Sequence, residues 1–271
     1  MPELPEVETT RRGIAPLLVG RTVQEVVVRQ ASLRKPVPAN LAALLVGKTF
    51  NQVRRRAKYL LLDTPRGSLV IHLGMSGSLR VVPVGTPPMK HDHVDLLLDD
   101  GQMLRYRDAR RFGLLLWSES DPLRLPLFAH LGPEPLEPDF DGRWLKLQAK
   151  QRRVAVKSFL MDQRTVVGVG NIYASEALFM ARIHPASVAG TITLKRYALL
   201  AEAVKQVLSH AINQGGTTLR DFTGADGQPG YFSQSLQVYG RYGAPCVVCG
   251  HDICTQVIGQ RSSFFCPHCQ H

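Results

Sequence analysis

The chain has 271 residues, 44% of them hydrophobic, enough to bury a core as one large or two ordinary domains. It holds 33 Lys+Arg against 22 Asp+Glu, a net charge of +11, and arginines outnumber lysines 24 to 9. That balance points to a polyanionic partner, most often nucleic acid, contacted through guanidinium groups that suit phosphates and base edges. No run of about 18 apolar residues is present, which excludes a transmembrane helix. Glu3, Glu6 and Glu8 replace the basic start of a secretory signal, so a cytoplasmic protein is expected.

In chain order, residues 3–19 place Val7, Ile14, Leu17 and Leu18 among polar positions and stop at Gly20, which predicts a short helix. The next hundred residues are β-rich. Strands are predicted over Thr22–Arg29, Gln52–Asp63, Leu69–Leu73, Ser78–Val82, His93–Leu98, Met103–Arg107 and Phe112–Trp117, with Asp100-Gly101 as a hairpin turn. Short strands at regular spacing suggest a sandwich or barrel. Residues 119–141 carry five prolines with Glu134, Glu137, Asp139 and Asp141, the composition of a linker. Residues 142–214 have a helical pattern, clearest over Thr193–Gln214, where Tyr197, Ala201, Val204, Leu208 and Ala211 share a face. Residues 217–235, rich in Gly, Asp and Thr, read as a loop. The expected domains are 1–132, a linker over 133–141, 142–236, and a cysteine-bearing module over 237–271.

All five cysteines follow position 245. Cys246-x-x-Cys249 and Cys266-x-x-Cys269, 16 residues apart, place four thiolates to hold one tetrahedral Zn²⁺. Four protein ligands leave no open position, so the expected metal is structural. A redox role would not need two matched pairs. Cys254 is left over as a free thiol, and His251, His268 and His271 read as surface histidines.

At the other end, proline follows the initiator methionine. Loss of Met1 would expose a secondary amine, and an α-amino group, with a pKa of roughly 7.7–8.0, is partly neutral and nucleophilic near pH 7. Condensed with a sugar aldehyde, it gives an iminium that acts as an electron sink for elimination. Glu3 stands beside it as an acid or base. The plainer reading of Glu3, Glu6 and Glu8 is a helix N-terminus lined with carboxylates.

Several stretches together resemble one known family. Pro2-Glu3-Leu4-Pro5-Glu6-Val7-Glu8 is similar to the N-terminal signature of the bacterial formamidopyrimidine-DNA glycosylases. So are Arg55-Arg56-Ala57-Lys58-Tyr59-Leu60, His72-Leu73-Gly74-Met75-Ser76-Gly77, Lys90-His91-Asp92-His93 and Asp108-Ala109-Arg110-Arg111-Phe112-Gly113, the last departing from the pattern at Ala109, where proline is expected. Gly168-Val169-Gly170-Asn171-Ile172-Tyr173, Gln214-Gly215-Gly216-Thr217-Thr218, Gln237-Val238-Tyr239-Gly240 and the four cysteines complete the series in order along the chain.

The resemblance implies an α+β multidomain fold: an N-terminal catalytic β-sandwich with flanking helices, a helix–two-turn–helix domain and a C-terminal β-hairpin zinc finger. It implies a monomer that excises oxidised purines from double-stranded DNA at the nucleoid and then cuts the strand. Pro2 would attack C1′, Glu3 would help open the sugar, Lys58 would assist β-elimination and Arg261 δ-elimination. His91, Arg110, Arg152 and Asn171 would bind DNA, with Asn171 holding a phosphate. Met75, Arg110 and Phe112 would fill the hole left by the extruded nucleotide, and the Gly216–Gly230 loop would close over it.

General chemistry agrees. Reaction at C1′ needs the nucleotide out of the stack, apolar wedges fill such voids, and Arg110 and Phe112 on one strand would share a face. The glycines before Asn171 would let backbone N–H groups approach a phosphate at a helix start. The basic clusters Arg54–Arg56 with Lys58, Arg105–Arg111 and Lys150–Lys157 fit a groove tracking the DNA backbone. Two other readings compete: an endonuclease VIII-like enzyme for oxidised pyrimidines, and a non-catalytic zinc-finger DNA-binding protein, which leaves Pro2, Glu3 and Lys58 without a task.

Overall fold

The computed structural model describes residues 2–217 and 232–271, so most of the expected 217–235 loop, including the closing loop over Gly216–Gly230 beyond Thr217, lies outside the described residues. The chain divides into two compact units, Met1–Ala129 with Gln214–Tyr231, and His130–Asn213 with Phe232–His271.

The first unit is a β-sandwich with an N-terminal helix. Helix α1 spans Leu4–Leu18, β1 Val23–Val28, and a short α2 Leu41–Leu45. The strands β2 (Gln52–Arg56), β3 (Tyr59–Thr64), β4 (Gly67–His72), β5 (Gly77–Pro83), β6 (Asp92–Leu98), β7 (Gln102–Asp108) and β8 (Leu114–Ser118) follow. One antiparallel sheet has the order β1-β6-β7-β5 and the other β2-β3-β4-β8. Val23, Val94, Leu96 and Leu104 of the first sheet, Val53, Leu60, Leu62, Ile71 and Leu115 of the second, and Val7, Ile14 and Leu18 of α1 form one buried core. Alternating inward residues from two sheets are what a sandwich requires.

Two segments differ from the strands that the sequence suggests. Gln52–Asp63 is a hairpin, not one strand: Arg56 pairs with Tyr59 across a two-residue turn in which Ala57 has φ 53°. A positive φ in such a turn matches the strand twist, but nothing in the side chain of alanine announces it. The Phe112–Trp117 strand begins only at Leu114: Arg111 turns the chain at φ 56°, and the Gly113 N–H is spent on Asp108 Oδ2 rather than on a neighbouring strand.

The second unit holds α3 (Gly142–Gln148), α4 (Val156–Met161), α5 (Asn171–Met180), α6 (Leu194–Asn213) and the hairpin of β9 (Cys254–Ile258) and β10 (Arg261–Phe265). Residues 130–141 belong to it: Gly132 N–H donates to the Gln163 carbonyl, and Phe140 is fully buried. Helices α3 and α6 pack together where Gly142 meets Ala198, and a Cβ at Gly142 would run into the Ala198 backbone. Helix α5 is buried on nearly every side from Ile172 to Phe179, so it has no polar face to reveal its period. Among the described residues no helix is long and apolar enough to cross a membrane.

A buried ion cluster ties β6 and β7 to Arg29, just beyond β1. Asp95, 1% exposed, accepts from Arg105 Nε at 2.9 Å and Nη2 at 2.8 Å, and from Arg29 Nη2 at 2.7 Å. Burial alone would raise the Asp95 carboxyl; the two guanidinium groups override it and hold it below its ordinary 3.8. A depressed carboxyl contributes stability that is complete above the unfolded pKa and is lost as pH falls through the folded one. Asp95→Asn should therefore cost about 3 kcal/mol at neutral pH, since it leaves two cations short of a buried partner. The variant's melting temperature should also fall less steeply below pH 4 than the wild type's. Parallel acid profiles for the two proteins would contradict this.

Candidate active site and nucleic-acid interface

The N-terminal segment is held as part of the core. Pro2 through Glu8 are all buried. The three carboxylates of this segment do different work. Glu6 Oε2 accepts from the Glu3 N–H at 2.7 Å, the N3 half of a capping box, and Glu6 Oε1 accepts from the Thr217 N–H at 2.9 Å. One carboxylate thus joins the chain's start to the root of the segment after α6. Gly216, at φ 82°, is pressed against the same side chain: a Cβ there would lie 3.1 Å from Glu6 Oε1. Glu8 instead pairs with Arg11, Arg12 and Arg55. Burial works to raise its carboxyl, and these guanidinium groups bring it below the ordinary range. Glu3 is 3% exposed.

Lys58 sits in the tight β2–β3 turn and is only 4% exposed. Its charge bears on His72, at the end of β4. Burial, then the Lys58 and Arg34 cations, press the His72 imidazole down to about 4, so it is neutral at physiological pH. Neutral Nδ1 can accept, and it does, from the Gly74 N–H at 2.9 Å. Gly74, at φ 65°, is packed so tightly that a Cβ would strike the Phe112–Gly113 backbone. The turn bearing Met75 and the turn bearing Arg110 and Phe112 are therefore backbone neighbours. Arg110 and Phe112 do not lie on a strand, yet they share a side: the guanidinium carbon stands 4.9 Å from the exposed Phe112 ring centroid. His91 takes φ 77° in the turn before β6.

In the second unit, Gly168 takes φ 81° and Gly170 caps α5, whose first residue is Asn171. Asn171 Nδ2 donates to the Ser262 carbonyl at 3.1 Å, while its buried Oδ1 has no hydrogen-bond partner. The same carbonyl accepts from Lys157 Nζ at 3.2 Å, and Lys157 also donates to Ser263 Oγ at 2.8 Å. Asn171 and Lys157 together brace the turn that presents exposed Arg261. Arg152 is exposed ahead of α4. Glu176, which the sequence did not single out, accepts from the N–H groups of Gln237, Val238 and Tyr239 at 2.9, 3.0 and 2.8 Å. Burial raises its carboxyl despite those three donors. It fastens the Gln237-Val238-Tyr239-Gly240 stretch to α5.

The three basic clusters are not uniformly available to DNA. Arg54 pairs with Asp63, Arg55 with Glu8 and Arg105 with Asp95, and Lys157 is 1% exposed. Arg110, Arg111, Lys150, Arg152 and Arg153 are exposed. A charge run in sequence says nothing about which members are spent on partners within the fold.

Cys246, Cys249, Cys266 and Cys269 bring their sulfurs within 4.8 Å of one another. The Cys246–Cys269 and Cys249–Cys266 separations are 3.9 and 3.5 Å. Four Zn–S bonds of about 2.3 Å in a tetrahedron require sulfurs about 3.8 Å apart, so the set fits one structural zinc. Backbone N–H groups of Val248 and Cys269 point at Cys246 and Cys266 sulfurs, as thiolates require. Val238, Ile253 and Phe179 pack on this cluster. Cys254 lies in β9, outside it, and the His251 and His268 rings stack on each other at 4.4 Å.

Elemental analysis should find one zinc per chain, preserved in Cys254→Ser and lost in Cys246→Ser or Cys269→Ser. Full zinc in either of the latter would contradict the site. His72 should stay neutral by NMR down to about pH 4. Because the unfolded chain takes up that proton near 6.5, stability should decline as pH falls from 6.5 toward 4, by up to about 3 kcal/mol. A His72 titration near 6.5 in the folded protein would contradict this.

Comparison with known proteins accounts for this arrangement along its length. The model of the formamidopyrimidine-DNA glycosylase N-terminal domain matches residues 1–115, that of its H2TH domain residues 131–223, and that of the zinc finger found in FPG and IleRS residues 243–271. A formamidopyrimidine-DNA glycosylase of Syntrophotalea carbinolica is 62% identical over 270 residues, covering 100% of both chains. The crystal structure of the MutM (FPG) protein from Thermus thermophilus superposes with a TM-score of 0.89 at 40% identity, covering 99% of this chain and 98% of that one. A Lactococcus lactis FPG variant, solved in complex with Fapy-dG-containing DNA, gives a TM-score of 0.92 at 34% identity with 100% of both chains covered. The chain belongs to the formamidopyrimidine-DNA glycosylase family.

Proposed function

We propose that this protein is a bifunctional glycosylase and abasic-site lyase that removes oxidised purines, formamidopyrimidines and 8-oxoguanine, from duplex DNA at the nucleoid. The observation that carries the reading is the N-terminus: Pro2 is buried at the start of α1, with Glu3 beside it and Glu6 clamping the Glu3 N–H. A chain end kept this way makes sense if its amine is a reagent. After loss of Met1, the Pro2 nitrogen attacks C1′ and the bond to the base breaks, its electron pair leaving with the base. Glu3 protonates the sugar ring oxygen as the ring opens to an iminium. Lys58 assists removal of the C2′ proton, which expels the 3′ phosphate. Arg261 serves the second elimination, which expels the 5′ phosphate. His91, Arg110, Arg152 and Asn171 contact the DNA, and the exposed Arg261 guanidinium, with the Asn171 amide at the start of α5, supports placing a phosphate group there. Met75, Arg110 and Phe112 fill the vacated stack as a wedge.

The lesion class is tested by matched duplexes carrying one 8-oxoguanine or one thymine glycol. Faster excision of 8-oxoguanine is expected; faster excision of thymine glycol would favour the pyrimidine-directed reading. Glu3→Gln should lower single-turnover excision by about 10²-fold or more while leaving duplex affinity intact. Binding without any excision by the wild type would leave only the non-catalytic reading. If six or more phosphates are contacted, log affinity should fall with log salt with a slope of about −0.9 per contact. A flat dependence would contradict the groove.

A further inference from the structure

Asp108, at the end of β7, is fully buried and lies where three segments of the first unit meet. Its Oδ1 accepts from Ser76 Oγ–H at 2.6 Å and from the Arg110 N–H at 3.2 Å. Its Oδ2 accepts from the Gly113 N–H at 2.8 Å and from Tyr106 Oη–H at 3.1 Å. Its backbone is used as fully. The N–H donates to the His91 carbonyl at 3.1 Å, and the carbonyl accepts from His93 Nε2 at 2.7 Å. Ser76 Oγ also accepts from the Arg110 N–H at 3.0 Å, so the hydroxyl links the two turns directly as well. One residue therefore touches the Met75 turn, the His91 turn and the Arg110–Phe112 turn.

We propose that Asp108 is a positioning residue, whose carboxylate locks the Met75 turn and the Arg110–Phe112 turn into one rigid wedge that enters the base stack as the damaged nucleotide leaves. The inference rests on the wedge role assigned to Met75, Arg110 and Phe112 above. A buried carboxylate with four donors uses all its lone-pair sites. Burial raises the Tyr106 phenol well above its ordinary range, so that group remains a donor to the carboxylate. The site also rejects the isosteric amide. Whichever way an asparagine turned, its NH₂ would face a backbone N–H, of Arg110 on one side or Gly113 on the other, and a backbone N–H cannot reverse. The carboxylate is thus required for bond pattern, not for volume. A wedge made of side chains from separate turns works only if they arrive together, and misplacement by about 1 Å costs about 10²-fold in rate.

The wedge matters only where there is a paired stack to fill, which separates positioning from general damage. Strand scission at one abasic site is measured under single-turnover conditions, in a duplex and in the same strand alone. Asp108→Asn should lower the duplex rate by about 10²-fold and leave the single-strand rate close to wild type. Ser76→Ala, which keeps the carboxylate and removes one donor, should show a smaller loss of the same kind, and it carries the test if the asparagine variant does not fold. Equal losses on both substrates, or no loss on either, would overturn the proposal. The double variant Met75→Ala with Phe112→Ala locates the failure. If it cuts duplex at the wild-type rate, the wedge reading falls and this inference with it. If it is slow on duplex while Asp108→Asn and Ser76→Ala are not, only the role of Asp108 falls.

Discussion

The structure depends on the burial of its N-terminal segment. The first residues of a domain ordinarily fray, because nothing on one side of them contributes packing. Here Pro2 through Glu8 are buried, Leu4 and Val7 lie in the interior, and Glu6 fixes the Glu3 N–H. A reaction that uses the α-amino group demands this arrangement, since a fraying end could not hold its nitrogen at a sugar carbon. The same Glu6 reaches Thr217, so the start of the chain and the segment after α6 share one anchor.

Around that anchor, charge is divided between fold and ligand. A net charge of +11 suggests an open basic groove. Much of the arginine is nevertheless spent internally: Arg55 on Glu8, Arg54 on Asp63, and Arg105 and Arg29 on Asp95. These pairs sit in the sandwich and brace its sheets. The exposed cations, Arg110, Arg111, Arg152 and Arg261 among them, stand in turns and on the finger, at positions from which side chains can reach a polyanion. Conversely, His72 is kept neutral beside Lys58, so its ring accepts from Gly74 rather than adding to the positive field.

Much of this was legible in the amino-acid sequence, for physical reasons. Alternation of apolar and polar residues marked the strands, and the long amphipathic α6 marked itself. Two matched cysteine pairs admit few uses other than a tetrahedral metal. What was not legible depends on tertiary placement. Ala57 and Arg111 take positive φ with no glycine to signal it, so one strand became a hairpin and another began two residues late. Helix α5 is buried all round and shows no stripe. Asp108 opens the Asp108–Gly113 stretch that resembles the family, yet its task is visible only when the four donors around its carboxylate are seen together. Lys157 read as a groove cation and is instead a buried brace for the Arg261 turn.

In the proposed mechanism the Pro2 nitrogen is the nucleophile. Borohydride reduction during turnover of a duplex carrying one 8-oxoguanine opposite cytosine, followed by peptide mass mapping, tests it most directly. A stable protein–DNA adduct carried by the N-terminal peptide at Pro2 is expected, and none in a chain that retains Met1. An adduct mapped to Lys58 or any other side chain, or undiminished trapping with Met1 in place, would contradict it.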